Sequence, residues 1–154
     1  MKFVYIFFGE RGTGKSYNAK RFSKHYQIDF YEGDEAYTPV MQRLRSSLCL
    51  LPDIVQATYL ENLTQEIIKR MQYTEALAVS QELYSDHERW AIYDRLTDEG
   101  YQVIFYWMKP FLIRNIQYLW RQNKWKALWS WLIRRPYFEK PTHYYRKVNH
   151  YFDI

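Results

Sequence analysis

Hydrophobic and polar positions alternate in blocks that change period along the chain. Lys2-Phe3-Val4-Tyr5-Ile6-Phe7-Phe8 is a short apolar run dense in β-branched and aromatic residues, the pattern of a buried strand. Ser16 to Tyr26 has no helix breaker and reads as a helix, and Ile28-Asp29-Phe30-Tyr31 as a second strand. A short helix carrying Arg43 and Arg45 is expected after Pro39. Beyond Pro52, Asp53 has the character of an N-cap, and Leu60, Leu63, Ile67 and Met71 recur at helical spacing, so a helix over about 54–73 buries one face. Glu75 to Ser80 is a third strand. Ser85 and Glu88 form a capping box and Gly100 a stop, bounding a helix whose charges (Asp86, Glu88, Arg89, Asp94, Arg95, Asp98, Glu99) read as a solvated face. Gln102 to Trp107 is the fourth strand. Strands alternating with helices indicate a parallel sheet with helices on both sides, and 154 residues are enough for one domain with a real core.

The turn between the first strand and the first helix carries the strongest chemical signal. Gly9-Glu10-Arg11-Gly12-Thr13-Gly14-Lys15-Ser16 fits G-x-x-x-x-G-K-[ST], the phosphate-binding P-loop, in the strand–loop–helix context that the motif needs. The glycines let backbone N–H groups close around phosphates at the positive end of a helix. Lys15 is placed to reach the β- and γ-phosphates and the Ser16 hydroxyl to ligate Mg²⁺. The second strand ends in Glu32-Gly33-Asp34-Glu35. Acids at a strand's carboxyl end face the ligand side of an open α/β sheet, and Gly33 permits a sharp turn between them. Neither the third nor the fourth strand ends in an aspartate, which argues against a motor ATPase, and no Asn-Lys-x-Asp guanine signature is present. The placement of the acids favours a kinase of small molecules.

Composition sharpens this in two places. The single Cys49 excludes an internal disulfide framework and a cysteine-rich metal site, and reads as a core filler in a reduced, cytoplasmic setting. No early segment resembles a signal peptide, and no apolar run is long enough to span a membrane. The formal net charge of +5 is concentrated in Lys109 to Lys140, where eight basic residues meet one acid, Glu139. Trp125, Leu128, Trp129 and Leu132 share a helical face there, with Lys124, Lys126 and Trp131 elsewhere. This region is readable as a mobile lid over the transferring phosphoryl group, as an amphipathic surface helix, or as a helix packed on the sheet with its basic residues in solvent.

With these pieces assembled, the chain resembles the small P-loop kinases of the shikimate kinase and gluconate kinase group. The resemblance rests on Gly9–Ser16, on Glu32-Gly33-Asp34 after the second strand, on Ser80-Gln81-Glu82-Leu83 after the third, and on Arg121 and Arg134-Arg135-Pro136, which are similar to lid arginines. It implies a three-layer α/β/α P-loop NTPase domain over 1–154, with a mostly parallel sheet of about five strands and a basic helical lid at about 110–140. Tyr145-Arg146-Lys147-Val148 is similar to the helix before a last strand at Tyr151 to Ile154. The group's adenine-side loop and closing helix have no counterpart, as in a naturally short chain or a fragment.

The resemblance further implies ATP and Mg²⁺ as cofactors. Gly9, Gly12, Thr13, Gly14, Lys15, Ser16 and Tyr17 then contact the nucleotide, and Ser16 and Glu32 the metal. Lys15, Asp34, Arg121, Arg134 and Arg135 serve catalysis, and Asp34 and Lys140 the acceptor; Arg43 and Arg45, read from the residues alone, face either an anionic acceptor or solvent. The implied partner is a small-molecule acceptor such as a sugar acid or shikimate-like compound, rather than nucleic acid or a membrane; monomer and dimer stay open. The alternatives are a nucleotide-binding protein without phosphotransfer and a kinase of nucleosides or nucleic-acid 5′-hydroxyls.

Overall fold

The structure, a computed structural model, describes residues 1–47, 51–109, 112–121, 125–141 and 146–148. Its body is a parallel sheet built from β1 (Phe3–Phe8), β2 (Asp29–Glu32), β3 (Ala76–Gln81) and β4 (Gln102–Met108), in the order β2-β3-β1-β4. Strand β1 lies between β3 and β4, which explains its unbroken apolar sequence: both faces are covered. Val4, Ile6 and Phe8 point to one side, where α3 (Asp53–Met71) and α4 (Asp86–Asp98) supply Tyr59, Leu63, Ile67, Ile92 and Leu96. Phe7 points to the other, against Ala19 and Phe22 of α1 (Lys15–Tyr26). This period-two division of a single strand makes the helix–sheet–helix layering.

The remaining elements are α2 (Pro39–Ser47), α5 (Leu112–Arg121), α6 (Trp125–Arg134) and a three-residue strand β5 (Arg146–Val148) beside β4. Four strands thus carry the sheet, and the position beyond them is filled by β5, where the sequence suggested a helix at 145–148. A sheet edge offers Arg146–Val148 backbone partners on Tyr106–Met108 that a short isolated helix lacks. The expected last strand at Tyr151 to Ile154, and Cys49, lie outside the described residues.

Three local readings change. Pro52, not Asp53, caps α3, so Asp53 is its first residue and complements the helix dipole. The capping box of α4 forms as expected, but Glu88 and Arg89 are buried rather than solvated. Gly33 has no left-handed backbone; it opens a 3-10 turn, and a Cβ there would lie 2.8 Å from the Ser80 carbonyl oxygen. Close approach of β3, not a sharp turn, is what requires glycine at this point.

Candidate active site

The carboxyl ends of β1, β2 and β3 converge on one spot. Gly14 precedes α1 with φ 83°, a left-handed conformation that costs glycine nothing and leaves the first helical N–H groups open to the loop. No acidic side chain occupies the first turn of α1, so its positive end is uncompensated on that side. The loop is braced from within. The Glu10 carbonyl accepts from the Thr13 hydroxyl at 2.8 Å and from Lys15 Nζ at 2.9 Å. Burial lowers the Lys15 ammonium below its ordinary range, against the opposing pull of Glu82, Asp34 and Glu32; Arg45 lowers it further.

Below the loop, Ser16 Oγ donates to Glu32 Oε1 at 3.0 Å and lies 3.1 Å from Ser80 Oγ, while Ser80 Oγ donates to the same Glu32 oxygen. The parallel register causes this meeting, since Glu32 pairs with Ser80 across β2 and β3. Among the described residues no group of three or more His, Cys, Asp or Glu stands ready to hold a metal by itself. A hydroxyl–carboxylate oxygen set completed by phosphate and water is, however, how Mg²⁺ is usually bound, and these residues fit it. Ser80 was not singled out from the sequence as a site residue; its register opposite Glu32 appears only once strands are paired.

Beside this cluster, Asp34 sits half-exposed on the 3-10 turn after β2, with Arg45 Nη1 3.3 Å from its Oδ1. The second Arg45 nitrogen, Nη2, is 3.3 Å from Glu82 Oε2, and the guanidinium lies 4.7 Å from the Tyr37 ring. Tyr37 is itself stacked on Tyr59 at 3.8 Å, and burial pushes its phenol up to about 12. Glu82 follows β3 directly and is only 8% exposed. Its Oε2 also accepts from the Tyr84 hydroxyl at 3.2 Å and meets Arg134 Nη1 at 3.6 Å. Burial works to raise this carboxyl, but Lys15, Arg45, Arg134 and Arg11 outweigh it and hold it below the ordinary value. The acid at this centre was visible in the sequence only as part of a polar turn.

The basic region reaches the loop at the Glu10 carboxylate. Trp131 is fully buried and its Nε1 donates to Glu10 Oε2 at 2.8 Å, with Arg135 Nε 3.7 Å from the same oxygen. Arg134 therefore turns inward to Glu82 and Arg135 to the loop. Of the face shared by Trp125, Leu128, Trp129 and Leu132, Leu128 packs against Trp131 while the other three are exposed, and Trp131 and Arg134 are the buried residues of α6. An indole that both buries area and donates to a buried carboxylate outcompetes a purely apolar stripe. Of the other candidate residues, Tyr17, Arg43, Arg121 and Lys140 are exposed.

Arg89, read from sequence as a surface charge, is fully buried. It donates to the carbonyls of Leu83, Tyr84 and Glu139, pairs with Asp86 at 2.7 Å, and lies between the rings of Phe8 and Phe138 at 4.8 and 5.0 Å. It thereby ties the last residue before the loop to the turn after β3 and to the segment following α6.

No protein-family model and no curated protein matches the chain. Solved structures do. A sugar kinase from Janibacter superposes with a TM-score of 0.76 at 14% identity, covering 96% of this chain and 84% of that one. A gluconokinase from Sinorhizobium meliloti gives 0.72 at 18% identity, covering 96% and 80%. An APS kinase from Mycobacterium tuberculosis, in complex with AMPPNP and APS, gives 0.66 at 14%, covering 96% and 87%. The fold is that of the P-loop kinases. Among the described residues, no helix is long and apolar enough to cross a membrane.

Proposed function

We propose that the protein transfers the γ-phosphoryl group of ATP to a hydroxyl of a small polar metabolite. The observation that carries this reading is the convergence of Lys15, the Ser16–Glu32–Ser80 cluster and Asp34 at the carboxyl ends of three adjacent strands. The amides of residues 12–16 and Lys15 hold the phosphates, with Lys15 exchanging its loop carbonyl for a phosphate oxygen. Ser16 and Glu32 would hold Mg²⁺, which would supply neutralisation of the charge that develops on the phosphates. Asp34 orients the acceptor hydroxyl. As the acceptor oxygen bonds to the γ-phosphorus, the bond to the β,γ-bridging oxygen breaks, ADP leaves with that electron pair, and the hydroxyl proton passes to Asp34. Arg134 approaches from α6, and Arg121 and Arg135 join it when α5 and α6 act as a lid over the transferring group. The sequence resemblance carries a sugar acid or shikimate-like compound as acceptor, with Lys140 on its side, and the residues alone add Arg43 and Arg45.

The test is a screen of sugars, polyols, sugar acids and nucleosides with ADP formation and phosphorylated product as readouts. One acceptor turned over by the wild type, with kcat reduced about 10²–10³-fold or more in Lys15→Ala, is the expected result. Nucleotide binding with no product from any acceptor would instead assign a binding role without transfer.

A further inference from the structure

The two arginines that flank the acceptor side are already engaged by a carboxylate of the chain itself. Arg45 Nη2 and Arg134 Nη1 end on one oxygen of Glu82, at 3.3 and 3.6 Å. The same oxygen takes the Tyr84 hydroxyl, and Arg45 spends its other nitrogen on Asp34. Glu82 is anchored by position as well as by charge, because it is almost fully buried and follows the strand that places Ser80 beside Glu32. An acid acceptor would have to displace this intramolecular carboxylate, whose effective concentration at the arginines no free metabolite matches. Its own charge would then lie among Glu82, Asp34 and the nucleotide phosphates, a like-charge arrangement that sites use to reject ligands.

Resting on the phosphotransfer reading above, we infer that Glu82 sets acceptor specificity by standing in for a substrate carboxylate, so that the site takes an uncharged polyhydroxyl compound, a neutral sugar or polyol, in preference to a sugar acid. Hydroxyl groups suit what the site presents. Asp34 is half-exposed and its carboxylate oxygens can accept hydrogen bonds from hydroxyls, and the Tyr84 hydroxyl stands beside Glu82. Replacing Glu82 by glutamine keeps shape and one hydrogen-bond acceptor while releasing both arginines for an incoming carboxylate.

The experiment compares kcat/KM for matched acceptors of one carbon skeleton, glucose and sorbitol against gluconate, in the wild type and in Glu82→Gln. The wild type is expected to favour the neutral members by about tenfold or more, the ratio equivalent to roughly 1.4 kcal/mol. In Glu82→Gln that ratio is expected to fall by a similar factor or invert. A wild type that prefers gluconate overturns the inference and leaves the kinase reading intact. An unchanged ratio in a Glu82→Gln protein that still binds nucleotide overturns it as well. Should Glu82→Gln not fold, the wild-type preference decides alone. No product from any acceptor, with nucleotide bound, removes the kinase reading and this inference with it.

Discussion

Replacing Arg45 by methionine removes the charge that bridges Asp34 and Glu82 while keeping much of the side chain's apolar bulk over Tyr37. The consequence follows from unequal burial of its two partners. Asp34 is 51% exposed, so its share is that of a surface pair, at most about 1 kcal/mol. Glu82 is 8% exposed, and leaving a buried charge without its partner costs about 3–5 kcal/mol. Arg134 and Tyr84 stay in place, which puts the loss at the low end, about 3 kcal/mol, or a Tm lower by roughly 6–12 °C for a domain of this size. The double variant Arg45→Met/Glu82→Gln removes the carboxylate charge that Arg45→Met alone leaves behind and is expected to recover about 1–3 kcal/mol of the summed single losses. Urea unfolding of the four members of the cycle measures this. A loss below about 1 kcal/mol in Arg45→Met, or an Asp34→Asn variant costing as much as Glu82→Gln, would refute the assignment of Glu82 as the centre.

Other perturbations probe the supports of the site. Arg89→Met strands the Leu83, Tyr84 and Glu139 carbonyls and is expected to cost about 3–5 kcal/mol by chemical denaturation, although sequence alone places this residue on the surface. Trp131→Phe removes a hydrogen bond to a buried carboxylate, for an expected loss of about 2–3 kcal/mol, and it should raise proteolytic cleavage in 112–134 before cleavage elsewhere. Burial raises the Glu10 carboxyl above its ordinary 4.5, against Trp131, Arg135 and Lys15. The folded state therefore binds this proton more tightly, and the contribution of Glu10 to stability falls as pH rises from that ordinary value through the raised one. Glu10→Gln, which still accepts from Trp131, should gain on the wild type above that window and match it below, in urea unfolding from pH 4 to 8.

Much of this architecture is legible in the residues. The strands of the sheet are written as apolar runs, the capping box at Ser85 and Glu88 marks a helix start, and the glycine loop carries its own geometry, because each of these depends on neighbours within a few positions. Partners brought together by long-range packing are not. Arg89 sits in a charged stretch whose helical period does not say which charges a neighbouring segment will cover; Phe138 and Glu139 cover it from about fifty positions away. On α6 the apolar stripe of Trp125, Leu128, Trp129 and Leu132 is the stronger periodic signal, yet of these only Leu128 packs on the buried Trp131, whose indole finds a buried acceptor in Glu10. Glu82 and Ser80 gain their meaning from the pairing of β3 with β2 and from arginines on two separate helices.

The central claim is that residues 9–16 wrap a nucleoside triphosphate with Lys15 on its phosphates, and calorimetric titration of ATP with excess Mg²⁺ into wild type and Lys15→Ala tests it most directly. Burial penalises the Lys15 cation while Glu82 draws on it, so circular dichroism of Lys15→Ala accompanies the titration to establish that the variant is folded. One equivalent of nucleotide bound by the wild type, with affinity reduced at least about tenfold in a folded Lys15→Ala protein, is the expected result. Absence of binding by the wild type, or equal affinity in the two proteins, would contradict it.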